Sequence, residues 1–228
     1  MSPVRHPPRD RMMARRFQIP ATVHGHYVVE GEDGDVPRPL LVGFHGYAET
    51  AESHLEALRR LPGVARWRLC AIQALHPFYN RKSLEVVASW MTRLDRETAI
   101  ADNTRYVAEV VSAVKRDFPT REPVAYAGFS QGVAMAYRAA AGAGHRCGGL
   151  VALGGDVPPE LAEQDLTEFP KVLIGRGSDD PWYTKEKLEA DLELLRRKGV
   201  AVEVCRFVGG HEWSEEFFRA AGSWLESL

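Results

Sequence analysis

Apolar positions along the chain fall into short compact runs separated by longer stretches with helical spacing. Runs at 39–44, 67–71, 147–154 and 170–175, and the one that starts at Val124, predict buried strands. Residues 22–29 and 200–207 alternate well enough to be strands too, and 31–35 reads as a turn. Between them, 52–61 sets Leu55, Leu58 and Leu61 on one helical face and stops at Pro62-Gly63. The longest helical pattern is 95–118, with Ile100, Tyr106, Val107, Val110, Val111 and Val114 as its buried face. Residues 133–141 are rich in helix formers. Residues 185–198 carry Leu188, Leu192 and Leu195 as a core stripe, and 213–228 reads as a closing helix. The stretch 74–90 is aromatic and irregular. Strands alternating with helices predict an α/β fold, a mostly parallel sheet covered on both faces. In such sheets, chemistry belongs at the carboxyl ends of the strands.

Composition narrows the picture. The chain of 228 residues fits one domain, 17–228, behind a flexible basic segment, 1–16, that carries Arg5, Arg9, Arg11, Arg15 and Arg16. Lysine and arginine number 29 against 31 acidic residues, a net charge of −2, which gives no reason to expect a nucleic-acid partner. Three scattered cysteines, Cys70, Cys147 and Cys205, argue against a disulfide framework and fit a reducing compartment. No apolar run is long enough to cross a bilayer, and the first residues lack a signal-peptide core. The expectation is a cytoplasmic protein without stable membrane association. Self-association is left open.

The candidate chemistry centres on Gly128-Phe129-Ser130-Gln131-Gly132. An apolar run precedes it and a helical pattern follows, the setting in which a Gly-x-Ser-x-Gly turn lifts a serine above a sheet. Small residues at Gly128 and Gly132 let the strand and helix approach closely. A serine hydroxyl needs a base, and His211 in Gly209-Gly-His-Glu-Trp213 sits between the last strand and the last helix. An imidazole, with an ordinary pKa of about 6.5, can take and return a proton near neutrality. The acid belongs between serine and histidine in chain order, where Asp156, Asp179 and Asp180 all follow strands. Oxyanion donors are expected from the backbone amides of Gln131 and Tyr47, the latter in the loop His45-Gly46-Tyr47. His45 reads as a brace for that loop. Tyr47, Phe78, Tyr79, Trp90 and Trp182 are candidates to line an acyl pocket. His24 and His26 share a strand face, but no third ligand is placed with them, so a metal is not expected, and acyl transfer through Ser130 needs no cofactor.

His45-Gly46, Gly-Phe-Ser-Gln-Gly at 128–132, Gly-x-x-Asp at 177–180 and Gly-Gly-His-Glu-Trp at 209–213 together resemble the phospholipase/carboxylesterase family of α/β-hydrolases. The likeness runs from about Leu40 to Leu228. It implies the α/β-hydrolase fold, Asp180 as the acid, and the amides of Tyr47 and Gln131 as the oxyanion donors; the short connections leave no room for a large cap. It implies hydrolysis of a small-molecule carboxylic ester or thioester through an acyl-enzyme on Ser130. The chain departs from the family at Tyr47-Ala-Glu49, where Leu-Gly-Asp is common, and around Asp180, where Arg176 precedes and Trp182 follows. Those departures bear on acyl specificity. A non-catalytic ligand receptor or scaffold and a small serine peptidase are the competing functions.

Overall fold

The computed structural model describes residues 14–31 and 36–228. Most of the basic segment, and the turn proposed at 31–35 beyond Gly31, lie outside the described residues.

Seven strands form the main sheet: β1 (Tyr27–Glu30), β2 (Arg38–Phe44), β3 (Arg68–Ile72), β6 (Thr120–Phe129), β7 (Cys147–Leu153), β8 (Lys171–Gly177) and β9 (Val202–Phe207). Their order is β1-β3-β2-β6-β7-β8-β9. Every pairing is parallel except β1 with β3. The period of two in each strand sorts its side chains between two cores. Leu40, Val42 and Phe44 face one, and Leu41 faces the other. Val124 and Tyr126 separate from Ala125 and Ala127 in the same way.

Helices cover both faces. α2 (Arg96–Asp117), α3 (Gln131–Gly142) and α4 (Lys185–Arg197) pack on the first core. α1 (Ala51–Arg59) and α5 (Glu215–Glu226) pack on the second. The start of α1 is fixed by Thr50, whose hydroxyl accepts from Ser53 N while Ser53 Oγ accepts from Thr50 N. Ser214 and Thr184 cap α5 and α4.

Three expectations need correction. The strand expected over 22–29 begins at Tyr27, so His24 and His26 precede it. Its partner β3 ends at Ile72, opposite Tyr27, and beyond that pair a backbone bond from Gln73 N to His26 O, at 2.8 Å, closes the ladder. The stretch 74–90 is not wholly irregular: β4 (His76–Tyr79) and β5 (Val86–Ser89) make an antiparallel hairpin. Pro77 argues against a central strand but is tolerated in this two-stranded edge. On α2, Ile100 is only half-buried, while Asn103 is fully buried and donates to the carbonyl of Trp90.

The hairpin docks on the loop after β2. Ala48 N donates to Ala88 O, and Ala88 N donates to Glu49 O, each over 3.0 Å. The carboxyl ends of β2, β6, β8 and β9 lead directly into His45, Ser130, Asp180 and His211. Parallel pairing therefore brings four distant stretches of sequence to one edge.

Candidate active site

Ser130 sits between β6 and α3 with φ 53° and ψ −120°, a backbone that non-glycine residues rarely adopt. Ser130 N donates to Leu153 O, and Val133 N donates to Ser130 O. The turn closes only with glycine beside it. A Cβ on Gly132 would lie 2.0 Å from the Phe44 carbonyl oxygen, and one on Gly128 would lie 2.6 Å from Gly132 O.

His211 Nε2 is 2.8 Å from Ser130 Oγ, and His211 Nδ1 is 2.8 Å from Asp180 Oδ2. A carboxylate only accepts, so the neutral ring carries its proton on Nδ1 and presents a bare Nε2 to the serine hydroxyl. Asp180 is 4% exposed. Its Oδ1 accepts from Trp182 N and Tyr183 N, at 2.8 and 2.9 Å, so both oxygens are held. Of the three aspartates, Asp180 alone meets the imidazole. Asp179 Oδ2 accepts from Ser178 Oγ, and Asp156 pairs with Lys187 at 3.0 Å. Phe129 packs against the ring of His211 with centroids 4.9 Å apart.

The loop after β2 is braced from several sides. His45 is fully buried. Ala74 N donates to its Nε2 over 3.0 Å, so Nδ1 carries the proton and donates to Gly46 O at 2.7 Å. Burial lowers the His45 pKa and keeps the ring neutral. Trp90 Nε1 donates to His45 O at 2.9 Å. Glu49 Oε2 accepts from Gly46 N at 2.7 Å, and burial raises the Glu49 pKa.

The side chain of Gln131 was not singled out from the sequence, and it does more than follow the serine. Its Oε1 accepts from Trp90 N at 2.9 Å, and its Nε2 donates to Met91 O at 3.0 Å. These bonds tie the start of α3 to the segment after β5. Trp90 and Trp182 line a cavity with Ser130. Trp90 is fully buried, whereas Trp182 is 70% exposed. Tyr47 stacks on Phe78 with centroids 5.3 Å apart, and Tyr79 lies exposed on the hairpin. Arg138 on α3, also unmarked in sequence, borders the same cavity. It meets Glu160, in a 3-10 turn at Pro159–Glu163, where Arg96 also binds. Burial alone raises the Glu160 pKa, but the two guanidiniums bring it down to about 2.

A mostly parallel sheet with this strand order and a serine on a strained strand-to-helix turn defines an α/β-hydrolase fold. Solved structures agree on the fold. Esterase PE8 superposes with a TM-score of 0.72 at 18% identity, covering 90% of this chain and 99% of that one. A Bacillus cereus carboxylesterase gives 0.68 at 17%, covering 89% and 94%. Zea mays acyl-protein thioesterase 2 gives 0.67 at 18%, covering 90% and 99%. No curated protein matches by sequence. Residues 26–228 match the family described as Phospholipase/Carboxylesterase, and the chain belongs to that family of ester hydrolases.

Among the described residues, no helix is long and apolar enough to cross a membrane.

Proposed function

We propose that the protein is a serine hydrolase that cleaves carboxylic esters, with thioesters as the second substrate class, through an acyl-enzyme on Ser130. The observation that carries this reading is the unbroken line Ser130–His211–Asp180, with both contacts at 2.8 Å. His211 takes the serine proton as Oγ attacks the acyl carbon, then gives it to the leaving alcohol or thiol. Asp180 fixes the tautomer and stabilises the charged ring without taking its proton. A water deprotonated by His211 then releases the acid.

The amides of Tyr47 and Gln131 are the oxyanion donors in this reading. Neither is engaged by another described residue, which leaves both N–H groups for substrate. The chemistry runs without a cofactor. Residues 17–228 act as the single catalytic domain. The free Cys70, Cys147 and Cys205 support a reducing, cytoplasmic setting.

Intact-mass labelling with a fluorophosphonate, on wild type and Ser130→Ala together, tests the reading. One adduct on the wild type and none on the variant is expected. A folded wild type that takes no adduct would favour a ligand-binding role for the fold instead. Ester and thioester panels of one acyl group then rank the leaving groups.

A further inference from the structure

Ser130 immediately precedes α3, and Ala134 and Arg138 follow it at i+4 and i+8, so the three share one side of the helix. All three border one cavity of about 250 Å³. That is smaller than the roughly 300–1,000 Å³ typical of drug-sized sites, which suits a short acyl group. Two turns, about 12 Å along the axis, separate the backbones of Ser130 and Arg138. Helical side chains lean toward the N-terminus, so the Arg138 guanidinium is carried back toward the serine.

Arg138 is only 6% exposed, yet its donors are poorly filled. Nε donates to Glu160 at 2.7 Å. Nη1 meets only the sulfurs of Met91 and Met135, at 3.7 and 3.9 Å. A thioether is a weak acceptor. Nη2 makes no hydrogen bond to another described residue. Glu160 is itself shared, since Arg96 donates to its other oxygen at 2.9 Å. Two guanidiniums thus face one carboxylate, and one positive charge is left over. Lys187, the other cation at the cavity, is matched by Asp156. No Arg138 nitrogen is among the fully buried polar atoms that lack a partner, so its open donor faces accessible space at the cavity wall, where an acceptor can meet it.

We infer that this cavity is the acyl subsite and that Arg138 selects acyl groups ending in a carboxylate. The substrates are then half-esters of short dicarboxylic acids, with the free carboxylate on the guanidinium and the ester carbonyl at Ser130. A planar carboxylate matches the two-pronged donor geometry of arginine. The inference rests on the hydrolase reading above. Arg138 also borders a groove between α2 and α3, where Thr104 and Gln164 lie. If its donors served that groove instead, the cavity would show no preference for charge.

The test compares three esters on the wild type: ethyl hydrogen glutarate, its isostere with an isopropyl group in place of the carboxylate, and its amino-terminated counterpart. The half-ester should exceed the isostere in kcat/KM by about tenfold or more, the worth of a hydrogen bond to a charged group. The amino ester should be worst. That ratio should collapse toward one in Arg138→Met and survive in part in Arg138→Lys. Free glutarate should slow fluorophosphonate labelling of the wild type more than uncharged glutaramide does, a readout that needs no variant. A wild type that hydrolyses the isostere as fast as the half-ester, while still taking the adduct, overturns the role of Arg138 alone. No turnover and no adduct overturns the hydrolase reading and this inference with it.

Discussion

The indole Nε1 of Trp90 donates to the carbonyl oxygen of His45 over 2.9 Å, joining the segment after β5 to the loop after β2. Trp90 is held in turn by Gln131 and Asn103. The loop that carries the Tyr47 amide is therefore positioned from the same point as the start of α3. Trp90→Phe keeps the ring packing against Phe44 but removes this donor. It should cost about 1–3 kcal/mol, because His45 O is left without its partner. It should also lower kcat more than it raises KM. Denaturant unfolding and ester kinetics measure the two effects. Lost stability with kcat intact would reduce Trp90 to packing.

Asp180, Asp179 and Asp156 differ in what they touch, and their asparagine variants should differ accordingly. Asp180→Asn should lower kcat about 10³-fold or more, since an amide no longer enforces the required imidazole tautomer. Asp179→Asn and Asp156→Asn should stay within about tenfold of wild type, because those carboxylates bind Ser178 and Lys187. The opposite order would reassign the acid.

Asp191 links acidity to stability. It accepts from Tyr183 Oη and Val157 N in a nearly closed site, and burial raises its pKa from 3.8 to about 6. The folded state holds that proton more tightly than the unfolded chain does. Its contribution is therefore fully present below about pH 4 and is lost as pH rises through about 6. Glu160 acts in the opposite sense at lower pH, its carboxyl being held near 2. The clean measurement is the difference in unfolding free energy between wild type and Asp191→Asn across pH 4 to 7. That difference should move against the wild type as pH rises through this window. A flat difference would mean that Asp191 titrates normally.

Trp182 is largely exposed beside the serine cavity, so its truncation should cost little stability. Trp182→Ala should shift the preferred acyl length while moving the unfolding free energy by less than about 0.5 kcal/mol. An unchanged acyl profile would remove Trp182 from the pocket.

Much of this was legible in the sequence, for physical reasons. Buried parallel strands are near-continuous apolar runs, so β2, β3, β7 and β8 stood out. The Gly-x-Ser-x-Gly turn is also visible in sequence, because only glycine fits against the Phe44 carbonyl. The β4–β5 hairpin was hidden, since Pro77 and mixed exposure erase its alternation. Which aspartate meets His211 depends on how the chain folds back after β8, and chain order alone leaves three candidates. Arg138 gave no signal: arginine in an alanine-rich helix ordinarily reaches solvent, and only tertiary packing against Glu160 buries it.

Gly132 lies so close to the Phe44 and His45 carbonyls that the Ser130 turn and the early loop cannot shift independently. The hairpin and the Trp182 segment carry no such constraint at their exposed positions. The molecule is thus divided into a rigid chassis and an adjustable rim. A diversified library confined to the tip of the hairpin and to Trp182 would search among substrates while leaving the spacing of Ser130, His211 and Asp180 untouched, whereas one that included Gly132 would spend most of its members on chains that do not assemble.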